Sequence, residues 1–425
     1  MAEIKPFRAL RYAEAAGDIS TLTCPPYDVI SEEQRRAFLL ENPHNVIRLE
    51  LPKGDRPYEE AGETLREWKK KGVLTRDTDP GFYLYEEEFT VFGKKKRVLG
   101  LICLVRLEEY EKGIVLPHEE TLSKAKEDRF KLIKKTFCNF SQIYSLYIDE
   151  DHKTLKRLGA LASGKPRYEF SDGEVVHRLW LVNDLMAIRE IQGDFADRKL
   201  FIADGHHRYE TALNFRNWCR SEEISKEGGD PDYVMMTLVD MESDGLVVFP
   251  THRLVFGLKN FSEETLTRGC EEFFDVIPRE GLDEMEPNLD ALYLQGKKAF
   301  ACYCGGEKWN LLILRDEAAA QRFLPEKSAA YRGLDVTVLH RLILERVLGI
   351  DEENMVQQVN LTYTRSAKDA VASVRDGTSQ CAFLLNPTRI RQIRDVAEAG
   401  EKMPQKSTYF YPKLITGLVM NEMDT

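Results

Sequence analysis

One run constrains this chain more than any other: Phe201-Ile202-Ala203-Asp204-Gly205-His206-His207-Arg208-Tyr209-Glu210-Thr211-Ala212-Leu213. An apolar strand reaches an acid and a glycine, and a helix starts at once with two histidines and an arginine. A strand followed by a helix in this way belongs to an α/β chain. The free N–H groups of a first helical turn favour an anion. Gly205 lets a phosphate come close to the backbone, and the fork of Arg208 suits a pair of phosphate oxygens. A helix cap with incidental histidines is the plainer reading. The chain has only 8 histidines in 425 residues, so two side by side at a glycine turn favour a site.

Elsewhere the pattern alternates between helix and strand signals. Ser31 followed by Glu32-Glu33-Gln34 predicts a capped helix to about Leu40. Val46 to Leu51 alternates as a strand would, and Tyr58 to Lys71 reads as a helix. Phe82–Val91 and Arg97–Arg106 flank Gly93-Lys94-Lys95 as a hairpin. A long helix is expected from Thr121 to about Phe137, and strands at Ile143–Ile148 and at Leu200–Ala203. The helix opening at His206 is expected to run to about Arg220. Three divisions follow: an N-terminal α/β segment over 1–80, a core over 81–255, and a C-terminal α/β domain over 256–425. Lys406-Ser407-Thr408-Tyr409-Phe410-Tyr411-Pro412-Lys413-Leu414 is too rich in polar and aromatic groups to read as a mere tail.

Charge and composition remove several classes. The formal net charge of -11 gives no global attraction to DNA or RNA, so nucleic acid is not an expected partner. No stretch approaches the roughly 18 apolar residues of a membrane span, and the N-terminus lacks the apolar core of a signal peptide. The eight cysteines include no C-x-x-C pair, while Cys302-Tyr303-Cys304 puts two thiols on one strand face. A cytoplasmic location is the expectation.

Two further runs carry polar groups at element ends. Leu116-Pro117-His118-Glu119-Glu120-Thr121 enters the long helix, whose Arg129 could point into a site. Phe249-Pro250-Thr251-His252-Arg253-Leu254 ends a strand with groups suited to a substrate or a second anion. Capping and a surface strand end are the plainer readings of the two.

Five runs together resemble a large prokaryotic family catalogued as a domain of unknown function. They are Pro25-Pro26-Tyr27-Asp28-Val29-Ile30-Ser31, Ile47-Arg48-Leu49-Glu50, His118-Glu119-Glu120-Thr121, the Ala203 to Ala212 run, and Lys406 to Pro412. At a greater distance, Leu116-Pro117-His118-Glu119-Glu120 followed by Asp204-Gly205-His206-His207-Arg208 resembles the ParB/sulfiredoxin-like superfamily. That resemblance implies a ParB/sulfiredoxin-like core with α/β additions at both ends, and an insertion near 150–200. It also implies a kinase: the superfamily includes kinases of free serine, in which the proline-histidine-glutamate run supplies the catalytic carboxylate and the glycine-histidine-arginine turn holds nucleotide phosphates.

The expected function is a nucleotide-dependent phosphotransferase acting on a small hydroxylated metabolite. Phosphoryl transfer needs a phosphate cradle, charge neutralisation and a proton acceptor. Gly205, His206, His207 and Arg208 are the expected cradle, with Arg129 beside them. Glu119 is the expected base, with Glu120 as substitute, and Asp204 and His206 are further catalytic candidates. Asp204 could hold magnesium. Glu120, Thr251, His252 and Arg253 form the expected substrate or second anion site. ATP or ADP with magnesium is the expected cofactor. The alternative is a ParB-like nucleotide-binding regulator or a DNA-partition-type protein, against which the acidic charge argues.

Overall fold

The computed structural model describes every residue except Glu120, Leu122 and Thr425; the side chains of Ser123 and Lys124 also lie outside the description. The chain is a mixed α/β protein and forms two compact units. The first takes Met1–Pro117, Thr121–Val247 and Pro412–Thr425; the second takes His118–Glu120 and Val248–Tyr411. The segments read as 1–80 and 81–255 thus share the first unit as far as Val247, and the last fourteen residues join it.

The first unit is built on one mixed sheet. Its strands run in the order Val115–Leu116, Leu200–Asp204, Ile143–Tyr147, Tyr233–Asp240, Lys94–Arg106, Phe82–Val91, Val175–Val182 and Tyr168–Ser171, with Ile4–Lys5 beside Lys94–Arg106. The expected hairpin is its longest ladder, pairing Tyr83 with Ile102 and Val91 with Lys94 across Phe92-Gly93. Leu200–Asp204 is parallel to Val115–Leu116 and antiparallel to Ile143–Tyr147, and it breaks register between Ile202 and Asp204. The helix His206–Ser221 follows at once. It buries Tyr209, Ala212, Leu213, Arg216 and Cys219, the three-and-four spacing of one face. Each buried apolar side chain of this kind stabilises the fold by about 1.5–3 kcal/mol. The Tyr209 hydroxyl donates to the Glu108 carbonyl (2.7 Å) and accepts from the Glu108 N–H (3.0 Å), which sets the depth of the helix. Among the described residues no helix is long and apolar enough to cross a membrane.

One expected element differs in kind. Residues read as a strand at 46–51 form the short helix Ile47–Glu50. The Asn45 side chain accepts from the Ile47 N–H (2.9 Å) and donates to the Thr21 and Thr23 carbonyls. That Asx turn ties the segment down, and Ile47, Leu49 and Glu50 are all buried by the packing around it. Alternation over six residues cannot distinguish these outcomes.

The second unit carries an antiparallel sheet in the order Phe274–Glu280, Lys308–Leu314, Ala299–Tyr303, Cys381–Leu384, His252–Val255 and Leu361–Thr364. All eight cysteines are free thiols, seven buried and Cys304 half-buried. Hydrogen bonding from Cys302, whose sulfur lies 3.9 Å away, and from Cys381 draws the Cys304 thiol well below its ordinary range. Burial raises Cys24, Cys103, Cys138 and Cys270. A disulfide reagent at neutral pH is therefore expected to label one thiol of the native protein rapidly, at Cys304. Cys304→Ser should remove that fast phase in a stopped-flow trace; a fast phase that survives places the reactive thiol elsewhere.

Candidate functional site

Gly205 stands at φ +95°, between the strand Leu200–Asp204 and the helix His206–Ser221. A Cβ there would come within 2.9 Å of the Arg208 guanidinium nitrogens and would push that side chain aside, and the positive φ itself favours glycine. The Arg208 guanidinium lies against Gly205. Its Nη1 donates to the Gln142 carbonyl (2.5 Å) and its Nη2 to Asp204 Oδ2 (2.9 Å). Lys413 Nζ donates to the other oxygen, Asp204 Oδ1 (2.7 Å). Burial alone would raise the Asp204 carboxyl. Lys413, then Arg208 and His206, outweigh it and hold the group far below the usual carboxylate range.

Lys413 reaches this turn because the end of the chain returns to the first unit. Asn421–Glu422 pairs with Cys138–Asn139, and the backbones of Thr416 and Cys24 exchange hydrogen bonds. Sequence reasoning gave Lys413 no role, although the run from Lys406 had already stood out as more than a tail.

Arg129 is buried in the same unit. Its Nη1 donates to the Glu50 carbonyl (2.7 Å) and lies 3.6 Å from Glu50 Oε1, and its Nε and Nη2 meet Asp128 Oδ2. The guanidinium stacks over the Tyr27 ring at 4.2 Å. Ser141 Oγ donates to Glu50 Oε1 (2.8 Å). Burial nevertheless keeps the Glu50 carboxyl above its ordinary value, against the pull of Arg129 and Ser141. Glu50, Arg129, Ser141, Arg208 and Thr211 line one cavity of about 50 Å³. That is room for a few water molecules at most and excludes a nucleotide from its interior. Tyr27 and Glu50 were missed as site residues; the signal was present in the Pro25 to Ser31 and Ile47 to Glu50 runs.

His206 is buried at the first helical position, and His207 is half-buried next to it. One turn on, Glu210 accepts from Thr121 Oγ1 (2.6 Å) and from Lys126 Nζ (2.8 Å). Among the described residues no group of three His, Cys, Asp or Glu side chains could hold a metal ion. Asp204, the expected magnesium ligand, has both oxygens engaged by cations.

His118 and Glu119 belong to the second unit. His118 is buried, its Nε2 lies 2.9 Å from Thr408 Oγ1, and its carbonyl accepts from the Met403 N–H. Glu119 Oε1 accepts from the Lys406 N–H (3.4 Å). The proline-histidine-glutamate run and the Lys406-Ser407-Thr408 run are therefore laid side by side. Glu120 lies outside the described residues. Thr251, His252 and Arg253 are all buried at the start of the strand His252–Val255. Strand geometry turns His252 and Arg253 to opposite faces: Arg253 meets the Tyr363 ring, while His252 Nδ1 accepts from the Leu385 N–H (3.4 Å). Burial, then Arg253, pushes His252 down to about 4, so it is neutral at pH 7.

No curated protein matches the chain. Among solved structures it is similar to a free serine kinase variant in complex with ADP (15% identity, TM-score 0.39, covering 76% of this chain and 92% of that chain). It is likewise similar to a conserved hypothetical protein from Pyrococcus furiosus (15% identity, TM-score 0.36, 73% and 90% covered) and to C-terminally truncated SbnI from Staphylococcus aureus (11% identity, TM-score 0.37, 76% and 87% covered). The family model described as "Protein of unknown function (DUF1015)" matches residues 4–337, and the chain belongs to that family.

Proposed function

We propose that the chain is a nucleotide-dependent phosphotransferase that acts on the hydroxyl of a small metabolite. One observation carries the reading: Arg208 and Lys413 converge on the two oxygens of Asp204 at the start of the helix His206–Ser221. Two cations on one carboxylate make a preorganised, charge-dense turn at the positive end of a helix. Catalysis of phosphoryl transfer is mostly positioning and charge neutralisation, and this turn supplies both. A phosphate oxygen arriving there can share Lys413 and Arg208 with Asp204 without either cation crossing the protein.

In this reading Gly205, His206, His207 and Arg208 hold the phosphates of ATP or ADP, and Lys413 joins them. Arg129 acts at one remove, holding Glu50 and Tyr27. Asp204 would be the protein's carboxylate for a magnesium ion held chiefly by the nucleotide, and the ion would supply charge neutralisation. Glu119, two residues before Thr121 in the chain, takes the proton from the acceptor hydroxyl. Residues 81–255 are the catalytic core.

Phosphorus NMR tests the reading. Purified protein is incubated with ATP or ADP, magnesium and a panel of hydroxy amino acids, hydroxy acids and sugars. A new phosphate-ester resonance that depends on the protein supports it. Nucleotide binding without any turnover turns the reading to a nucleotide-binding regulator. No binding at millimolar nucleotide overturns both.

Arg208→Ala should weaken nucleotide binding by roughly 1.5–3 kcal/mol, the worth of hydrogen bonds to a charged group. Calorimetry measures this directly. An affinity equal to that of the parent protein removes Arg208 from the cradle.

A further inference from the structure

The second unit contains a cavity of about 170 Å³, lined by Thr337, His340, Tyr363, Lys327, Lys402 and others. An apolar cavity of about 150 Å³ accommodates a ligand the size of benzene, so this one suits a molecule of about six to ten heavy atoms. A nucleotide is too large for it.

Its polar groups are arranged for an anion. Thr337 is buried, and its hydroxyl has no hydrogen-bond partner among the described residues. Leaving a buried hydroxyl unbonded costs stability, and such a group calls for an explanation. One turn on, His340 accepts from Arg253 Nε at its own Nε2 (3.2 Å). That bond fixes the tautomer: Nδ1 carries the hydrogen and can donate it. The stretch Leu339–Glu345 that carries His340 is wound as a π-helix, a rare form found disproportionately at functional sites.

Behind these donors stands Arg253, which is buried; among the described residues burial and the Tyr363 ring, and no carboxylate, govern its charge. Its Nη1 donates to the Thr251 carbonyl, and its Nη2 to the Lys406 carbonyl (3.2 Å). Carbonyl dipoles satisfy its hydrogen bonds but do not cancel its charge. At the rim, Arg341 is paired with Glu345 (2.6 Å) and lies 3.7 Å from Glu352. Glu119 acts electrostatically on Tyr363. Lys327 adds a further cation to the cavity wall. Met355, Val356, Met403 and Pro404 make the rest of the wall apolar.

We propose that this cavity binds a small organic anion, its carboxylate or phosphate head received by Thr337 Oγ1, His340 Nδ1 and Lys327, its carbon body lying on the methionine and proline wall. The proposal stands whether or not the chain transfers phosphate.

The test uses the full chain without nucleotide. Lactate, malate, glycerol phosphate, phosphoglycolate and inorganic phosphate are titrated, with thermal unfolding and calorimetry as readouts. At least one organic probe is expected to bind at millimolar concentration or below and to raise the unfolding temperature. Preference between the two carboxylates and the two phosphate esters identifies the head group. Thr337→Val should reduce that affinity by about tenfold or more, the equivalent of one hydrogen bond to a charged group. The same variant, free of ligand, should unfold at the same temperature as the parent or higher, because the unbonded hydroxyl is gone. Lys327→Gln should also weaken binding. The proposal is overturned if no organic probe binds, if only inorganic phosphate does, or if the bound probe is indifferent to both substitutions.

Discussion

Glu119→Gln is expected to slow phosphoryl transfer by about 10²–10⁴-fold while leaving nucleotide affinity where it was. The substitution keeps the shape of the side chain and leaves an oxygen to accept from the Lys406 N–H. What it removes is the ability to take a proton. A group that acts chiefly in the transition state affects turnover and not ground-state binding. Arg208→Ala has the opposite signature, since it acts on binding. Turnover by phosphorus NMR and affinity by calorimetry on the same preparations separate the two roles. If Glu119→Gln retains full turnover, another group takes the proton and the phosphotransferase reading loses its base.

A second large effect lies away from the candidate site, in the sheet of the first unit. Tyr85 donates to Glu87 Oε1 (2.9 Å), and its oxygen lies 2.7 Å from His177 Nδ1. His177 Nε2 is 3.3 Å from Asp172 Oδ2. Glu87 Oε2 has no hydrogen-bond partner among the described residues. Burial pushes the Glu87 carboxyl up to about 8; the Tyr85 hydrogen bond opposes this and Asp172 adds to it. Below about pH 4.5 the folded and unfolded chains both hold this proton, so it contributes no pH dependence. Between there and about pH 8 the unfolded chain releases the proton and the folded chain keeps it. Stability then falls as pH rises, by about 1.4 kcal/mol per pH unit at most, and levels off above the folded value.

Glu87→Gln should abolish that slope. The variant is expected to match the parent near pH 4.5 and to exceed it by several kcal/mol near pH 8. Urea unfolding followed by tryptophan fluorescence is the measurement. Trp68, Trp180 and Trp218 lie in the first unit and only Trp309 in the second, so the signal reports mainly the unit concerned. Parallel pH profiles for parent and variant would show that Glu87 ionises normally in the folded state.

The amino-acid sequence by itself determined the local features. The hairpin over Phe82–Val91 and Lys94–Arg106 follows from alternation around a glycine turn, and the helix Glu32–Glu41 from its serine cap and Gln34. The strand, Asp204, Gly205 and the helix from His206 follow in the same way, because caps, glycine turns and periodicity act within a few residues of one another. The run Val46 to Leu51 shows the limit of such reading, since its alternation was overridden by the Asn45 side-chain turn and by burial of Ile47, Leu49 and Glu50.

Only the tertiary structure decided what surrounds Asp204. Lys413 lies 209 residues away in sequence, and it arrives because Asn421–Glu422 closes against Cys138–Asn139. Arg129 looked free to meet a phosphate from its place on a basic helix, yet it is buried against Glu50, Asp128 and Tyr27. The same holds for Arg253, whose strand position says nothing of its burial among carbonyls. A side chain's charge is written in the sequence. Whether that charge meets water, a carbonyl or a carboxylate depends on segments distant in the chain, and burial sets the cost of each outcome.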